Sequence, residues 1–165
     1  MDTPFFKGKV FKHPAYIPIE DATYTSQFVA YWKNGFSPMI GKDGILPVPE
    51  IYSDSAIGRA HVEPEVKTNH DESSTEEAWY FWSIGQRDGA PTSNSLLIYC
   101  VDEERNACLL AYIDGGSEDS HEILKDNTFR RNIRDRATEF YNRQRKEPMP
   151  VTEHDSLFGE KWKFE

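Results

Sequence analysis

Two histidines and a few cations are the side chains in this sequence best suited to chemistry. His121 ends a Gly-Gly loop and stands four residues before Lys125, in the run Lys125-Asp126-Asn127; His61 lies two residues after Arg59. Histidine is the residue whose ordinary pKa lets it both accept and donate a proton near neutrality. Arginine matches a phosphate bidentately. Arg87 sits in the loop before an apolar run, and Arg130 and Arg131 open a basic segment that also carries Arg134. Each has an ordinary structural alternative. A loop histidine bonds a backbone group, a surface arginine is solvated, and Asp126-Asn127 reads first as an N-cap. That cap would nevertheless bring helix N-terminal amides beside His121, where an anion can bind. His13, His70 and His154 lie in Pro-flanked or acidic loops and take no role.

What must position these groups is a hairpin. Leu96–Val101 and Ala107–Ile113 are aliphatic and aromatic runs flanking an acidic, polar turn, and each suits a buried pleated surface. Centring the turn on Glu104 sets Cys100 opposite Cys108. Upstream, Thr23 or Thr25 can cap a helix carrying Phe28, Val29, Tyr31 and Trp32, with Gly35 at the C′ position and Pro38 beyond it. Downstream, Phe129, Ile133, Ala137, Phe140 and Tyr141 have the spacing of an amphipathic helix over 128–146, stopped by Pro148 and Pro150. Residues 76–84, with AWYFWSI, are expected to be a strand, Ile57–Val62 a short extended segment, and Lys42-Asp43 a turn with an exposed charge pair. Val10-Phe11 and 15–19 are confined to an edge or loop by Pro14 and Pro18. Together these give an α+β fold: an antiparallel sheet centred on the hairpin, an early helix packed on one face, and a C-terminal helix.

The chain has 165 residues and a net charge of -9, which speaks against a general nucleic-acid binder. The charge is unevenly spread. Residues 63–77 hold six carboxylates against one lysine and read as an exposed or partly disordered insertion; residues 129–146 hold seven cations against two carboxylates. That basic face is by default solvated, but it could face RNA. One domain is expected over 1–147, with a flexible tail over 148–165 that docks through Leu157, Phe158, Trp162 and Phe164. No run approaches a membrane span, and the N-terminus has no secretory h-region, so cytoplasmic residence is expected. Two cysteines build no disulfide framework. No Cys or His pair has metal-ligand spacing, and no phosphate-binding glycine loop or nucleophile elbow occurs, so neither metal nor cofactor is implied.

The order of several short stretches resembles the YafO-type toxins of bacterial type II toxin–antitoxin systems, RelE-like mRNA interferases. The stretches are FVAYWKNGFSP, GKD, RAHV, LLIYC, HEILKDN and NI…A…F, covering roughly 28–140. The resemblance implies a RelE/YafO-like fold and a metal-independent endoribonuclease that cleaves mRNA held on the ribosome. It further implies a cognate antitoxin as partner. In such chemistry the 2′-hydroxyl attacks, a base takes its proton, an acid protonates the leaving oxygen, and cations hold the charge on the phosphate. The resemblance thus implies His121, His61, Lys125 and Arg87 as catalytic groups. Arg59, Arg130, Arg131, Arg134 and Asn127 would contact RNA. The alternative is a catalytically idle protein on the same scaffold, whose acidic surface docks a basic partner.

Overall fold

The computed structural model describes residues 5–16, 23–67, 71–116 and 118–164. Five strands form a mixed sheet: β1 (Val10–Lys12), β2 (Ile40–Ile45), β3 (Ile57–Val62), β4 (Leu96–Val101) and β5 (Ala107–Ile113), in the order β1-β5-β4-β3-β2. The hairpin β4–β5 is at its centre, with Cys100 paired to Cys108 as the turn position requires. Both thiols are free and buried. The fold is α+β, but the sheet is not wholly antiparallel, because β1 runs parallel to β5 along one edge. Of the other N-terminal expectation, 15–19, residues 17–19 lie outside the described residues.

Each face of the sheet carries helices, and the strands alternate accordingly. Along β4, Leu97, Tyr99 and Val101 join the cluster containing Phe28 and Trp32 of α1 (Thr23–Asn34). Leu96, Ile98 and Cys100 join the opposite cluster, with Ile133, Ala137, Phe140 and Tyr141 of α5 (Asn127–Gln144). β5 keeps its alternation through one irregularity: Ile98 pairs with Ala111 and Tyr99 with Leu109, leaving Leu110 as the extra residue of a bulge. Helix α1 ends at Gly35, whose φ of +86 is the left-handed cap conformation glycine adopts without strain. Thr23 and Thr25, the two expected caps, both lie inside the helix.

Four segments differ from the sequence reading. The expected strand over 76–84 is a helix, α3 (Glu76–Ser83). Thr75 accepts a hydrogen bond from the Ala78 amide at 3.0 Å, and Glu76 and Glu77 lie at the positive end of the helix dipole. These signals outweigh the strand preference of the aromatics. Its place beside β4 is taken by β3, and β2 completes the edge. Asp43 is not in an exposed turn: within β2 it accepts a hydrogen bond from Tyr31 Oη at 2.6 Å and another from Tyr99 Oη. Burial holds its carboxyl above the usual range, against the lowering effect of both tyrosine bonds.

The 63–77 stretch is anchored at points on either side of 68–70, which lie outside the described residues, while Glu65, Val66, Asp71 and Glu72 are exposed as expected. Glu63 N bonds Met39 O at 2.9 Å, Thr92 N bonds Ser73 O at 2.8 Å, and Ser74 is buried. The tail is likewise packed. Met149, Leu157 and Trp162 belong to the α1-side core, while Phe164 is exposed.

Tail, N-terminus and α1 are tied together by Arg105 in the hairpin turn. Its guanidinium donates to Leu157 O at 2.5 Å, Lys7 O at 2.6 Å and Trp32 O at 2.9 Å, and it stacks 4.2 Å from the Trp32 ring centre. Among the described residues, no helix is long and apolar enough to cross a membrane.

Candidate active site

The site is assembled by strand register. His61 of β3 pairs with Leu96 of β4, which in turn pairs with Ile113 of β5. The last turn of β3 and the exit of β5 therefore lie at the same end of the sheet. Arg59 precedes His61 by two residues and shares its face, as does Ile57, which packs in the α5-side core. On β2, Asp43 points to the α1 side, so its neighbour Lys42 belongs with Arg59 and His61. From β5 the chain turns through Asp114-Gly115-Gly116 into α4 (Ser120–Lys125), and His121 lies in its first turn. His121 is exposed, and its amide donates to the capping Asp119 carboxylate at 3.0 Å.

These groups line one open cleft of ≈ 750 Å³. Lys42, Arg59 and His61 come from the sheet, His121 and Asp119 from α4 and its cap, and Ser93 and Asn94 from the turn before β4. Among the described residues, neither the Lys42 ammonium nor the Arg59 guanidinium forms an ion pair or hydrogen bond, so both charges are available to an anion. Asp71, Glu118 and Asp119 also line the cleft.

His61 is the most constrained member. It is 8% exposed, and its Nδ1 lies 2.6 Å from Ser93 O and 3.0 Å from Ser93 N. The shorter contact fits a proton on Nδ1 donated to the carbonyl, which leaves the Nε2 lone pair as the basic atom; the Ser93 amide donating to Nδ1 fits the opposite tautomer, with the proton on Nε2. Burial pushes the His61 pKa down to about 4. The Ser93 backbone bond opposes this, and Arg59, Lys42 and His121 reinforce it. The ring is therefore neutral at pH 7. The Ser93 hydroxyl, 2.6 Å from Val62 O, and the Ser95 hydroxyl, which accepts from Gly115 N at 3.1 Å, fix the turn that holds it.

Of the residues singled out in the sequence, His121, His61 and Arg59 meet in this cleft; the others do not line it. Lys125 is exposed on the last turn of α4, 4.0 Å from Glu122. Arg87 contacts Ser73 Oγ at 3.4 Å. Arg130 donates to Leu124 O at 2.9 Å, Arg134 pairs with Asp135 at 3.2 Å, and Arg131 is exposed on α5. Asn127 is the first residue of α5. The amides expected to receive an anion there are partly occupied, because the Asp126 carboxylate accepts from Phe129 N at 2.9 Å.

Sequence reasoning passed over Lys42, Ser93 and Asn94. Only the strand pattern of β2 and β3 could have revealed Lys42, since its side of the sheet follows from its neighbours. Compared with known proteins, the chain matches no family model, no curated protein and no solved structure.

Proposed function

We propose that this chain is a RelE/YafO-like endoribonuclease, an mRNA interferase of the toxin–antitoxin type acting on messenger RNA held on the ribosome. The observation that carries the reading is the meeting of His61 and His121, from distant parts of the chain, with two unpaired cations in one solvent-open cleft. His61 is the general base: neutral, oriented through Nδ1, and able to take the 2′-hydroxyl proton on Nε2. Arg59 and Lys42 hold the non-bridging phosphate oxygens as charge builds there. His121, exposed in the first turn of α4, donates its proton to the departing 5′-oxygen. The 2′-oxygen forms a bond to phosphorus as the 5′-oxygen bond breaks, giving a 2′,3′-cyclic phosphate and a 5′-hydroxyl.

The net charge of -9 fits a substrate presented by the ribosome rather than captured from solution, because presentation replaces intrinsic RNA affinity with orientation. The test is primer extension on an mRNA with and without ribosomes, comparing wild type, His121→Ala and His61→Ala. Discrete ribosome-dependent ends from the wild type, reduced about 10²- to 10⁴-fold in either variant, are expected. Unchanged cleavage by both variants overturns the assignment. Absence of cleavage by the wild type would favour the second reading, a binding protein whose carboxylates Asp71, Glu118 and Asp119 meet a basic partner at the same cleft.

A further inference from the structure

A second cleft, of ≈ 800 Å³, adjoins the first. The two share Ser74, Ser93, Asn94, Gly115 and Gly116, so the histidine cleft continues over this ridge to the α1 side of the sheet end. The ridge is tight: a Cβ on Gly115 would lie 2.4 Å from the Asn94 backbone carbon. Beyond it the wall changes character. Tyr24 and Tyr112 stack with ring centres 5.5 Å apart and planes inclined by 26°, and the Tyr24 hydroxyl is held by Glu63 O at 2.5 Å. Carboxylates face them. Glu63 is paired with Lys67 at 2.7 Å, whereas exposed Glu65 has no ion pair or hydrogen bond among the described residues.

We infer that this second cleft is a nucleobase subsite, taking a base that flanks the scissile phosphate and carries an exocyclic amino group. The inference rests on the nuclease reading. An aromatic pair beside a carboxylate repels a phosphate but suits an unstacked base: the ring lies on the tyrosine face, and amino protons are donated to the carboxylate. Cytosine, adenine and guanine each offer such a donor. Uracil places O4 where cytosine carries its amino group, and its one ring donor, N3–H, is flanked by two carbonyl oxygens that a carboxylate repels, so it is disfavoured. The sugar-phosphate chain stays on the cationic side, over Lys42 and Arg59, while the base crosses the ridge. The acidity of this face then selects among bases without opposing the backbone.

The test uses the full-length chain and labelled, non-cleavable 2′-O-methyl hexamers of A, C or U, with binding followed by fluorescence anisotropy at low ionic strength and at protein concentrations high enough to saturate weak binding. Wild type should bind the A and C hexamers more tightly than U. Tyr112→Leu, which keeps an apolar side chain against the core, should weaken A and C binding on the order of tenfold. Glu65→Gln, on the surface, should narrow the preference over U without unfolding the chain. Equal affinity for all three hexamers, unaltered in both variants, overturns the subsite. Primer extension separates the two proposals. Ribosome-dependent cleavage with no hexamer discrimination sinks the subsite alone, and discrimination without cleavage sinks the nuclease assignment alone.

Discussion

Burying His61 as a neutral ring makes the fold pH-dependent in a way that can be isolated. Its pKa is about 4 in the folded chain against an ordinary 6.5, so between these values the unfolded chain binds more protons at this position. Stability from this group is then fully present above pH 6.5 and is lost as pH falls towards 4. At pH 5 an unfolded histidine is almost wholly protonated and the folded one is protonated only to about one part in ten. Linkage across that interval gives a loss of about 2 kcal/mol relative to pH 7.5. Carboxylates elsewhere titrate too, so the quantity to measure is a difference. Urea unfolding of wild type and His61→Gln at pH 7.5 and pH 5.0 provides it, since glutamine can still bond Ser93 without titrating. The wild type should lose about 2 kcal/mol more than the variant over this interval. Parallel losses would refute the buried neutral histidine, and with it the reason for assigning His61 as base.

Arg105→Met removes the three hydrogen bonds that join Leu157, Lys7 and Trp32 and strands their carbonyls, so a loss of about 3 to 5 kcal/mol in urea unfolding is expected. A midpoint within a few tenths molar of wild type would show that the tail and N-terminus do not depend on this side chain. Gly115→Ala forces the loop away from Asn94 and opens the ridge between the two clefts, so primer-extension activity should fall at least tenfold while the far-UV spectrum is retained. Full activity in this variant would mean that the ridge does not position the catalytic groups.

The hairpin, both long helices and the Gly35 stop were legible because each rests on local rules. An apolar run of strand length, a 3.6-residue apolar period and a left-handed cap all declare themselves in a few residues. The edge strand β2 did not, because Gly41 and Gly44 interrupt it and Pro-rich chain follows. Gly41 is explained only by tertiary contact: a Cβ there would lie 2.2 Å from Pro91 O. The α3 stretch misled because its aromatics favour strands in isolation; the Thr75 cap and the burial of Trp79 beside exposed Tyr80 and Phe81 decide for a helix. Arg105 was invisible for a different reason. Nothing in an acidic turn shows that a guanidinium will be wholly buried on three carbonyls, since those carbonyls come from the two ends of the chain and from α1. The same holds for His61, whose partner Ser93 lies 32 residues away.

The most conspicuous charge feature of the sequence, the basic helix, is also the least connected to the candidate chemistry. Arg136 donates to Leu110 O at 2.6 Å and Arg130 to Leu124 O at 2.9 Å, so two of its guanidiniums bind α5 to the sheet and to α4. Lys146 is paired with Glu104 at 3.0 Å. A guanidinium already satisfied by a carbonyl has fewer donors for a phosphate and would have to give up that bond to bind one. Arg131, Arg143 and Arg145 are exposed and equally unpaired among the described residues but line neither cleft. Lys42 and Arg59 line the cleft that holds the histidines, so the two cations placed by strand register are the ones that face the candidate chemistry. In a chain of net charge -9, local arrangement of charge rather than its total is what could bring a phosphodiester to His61 and His121.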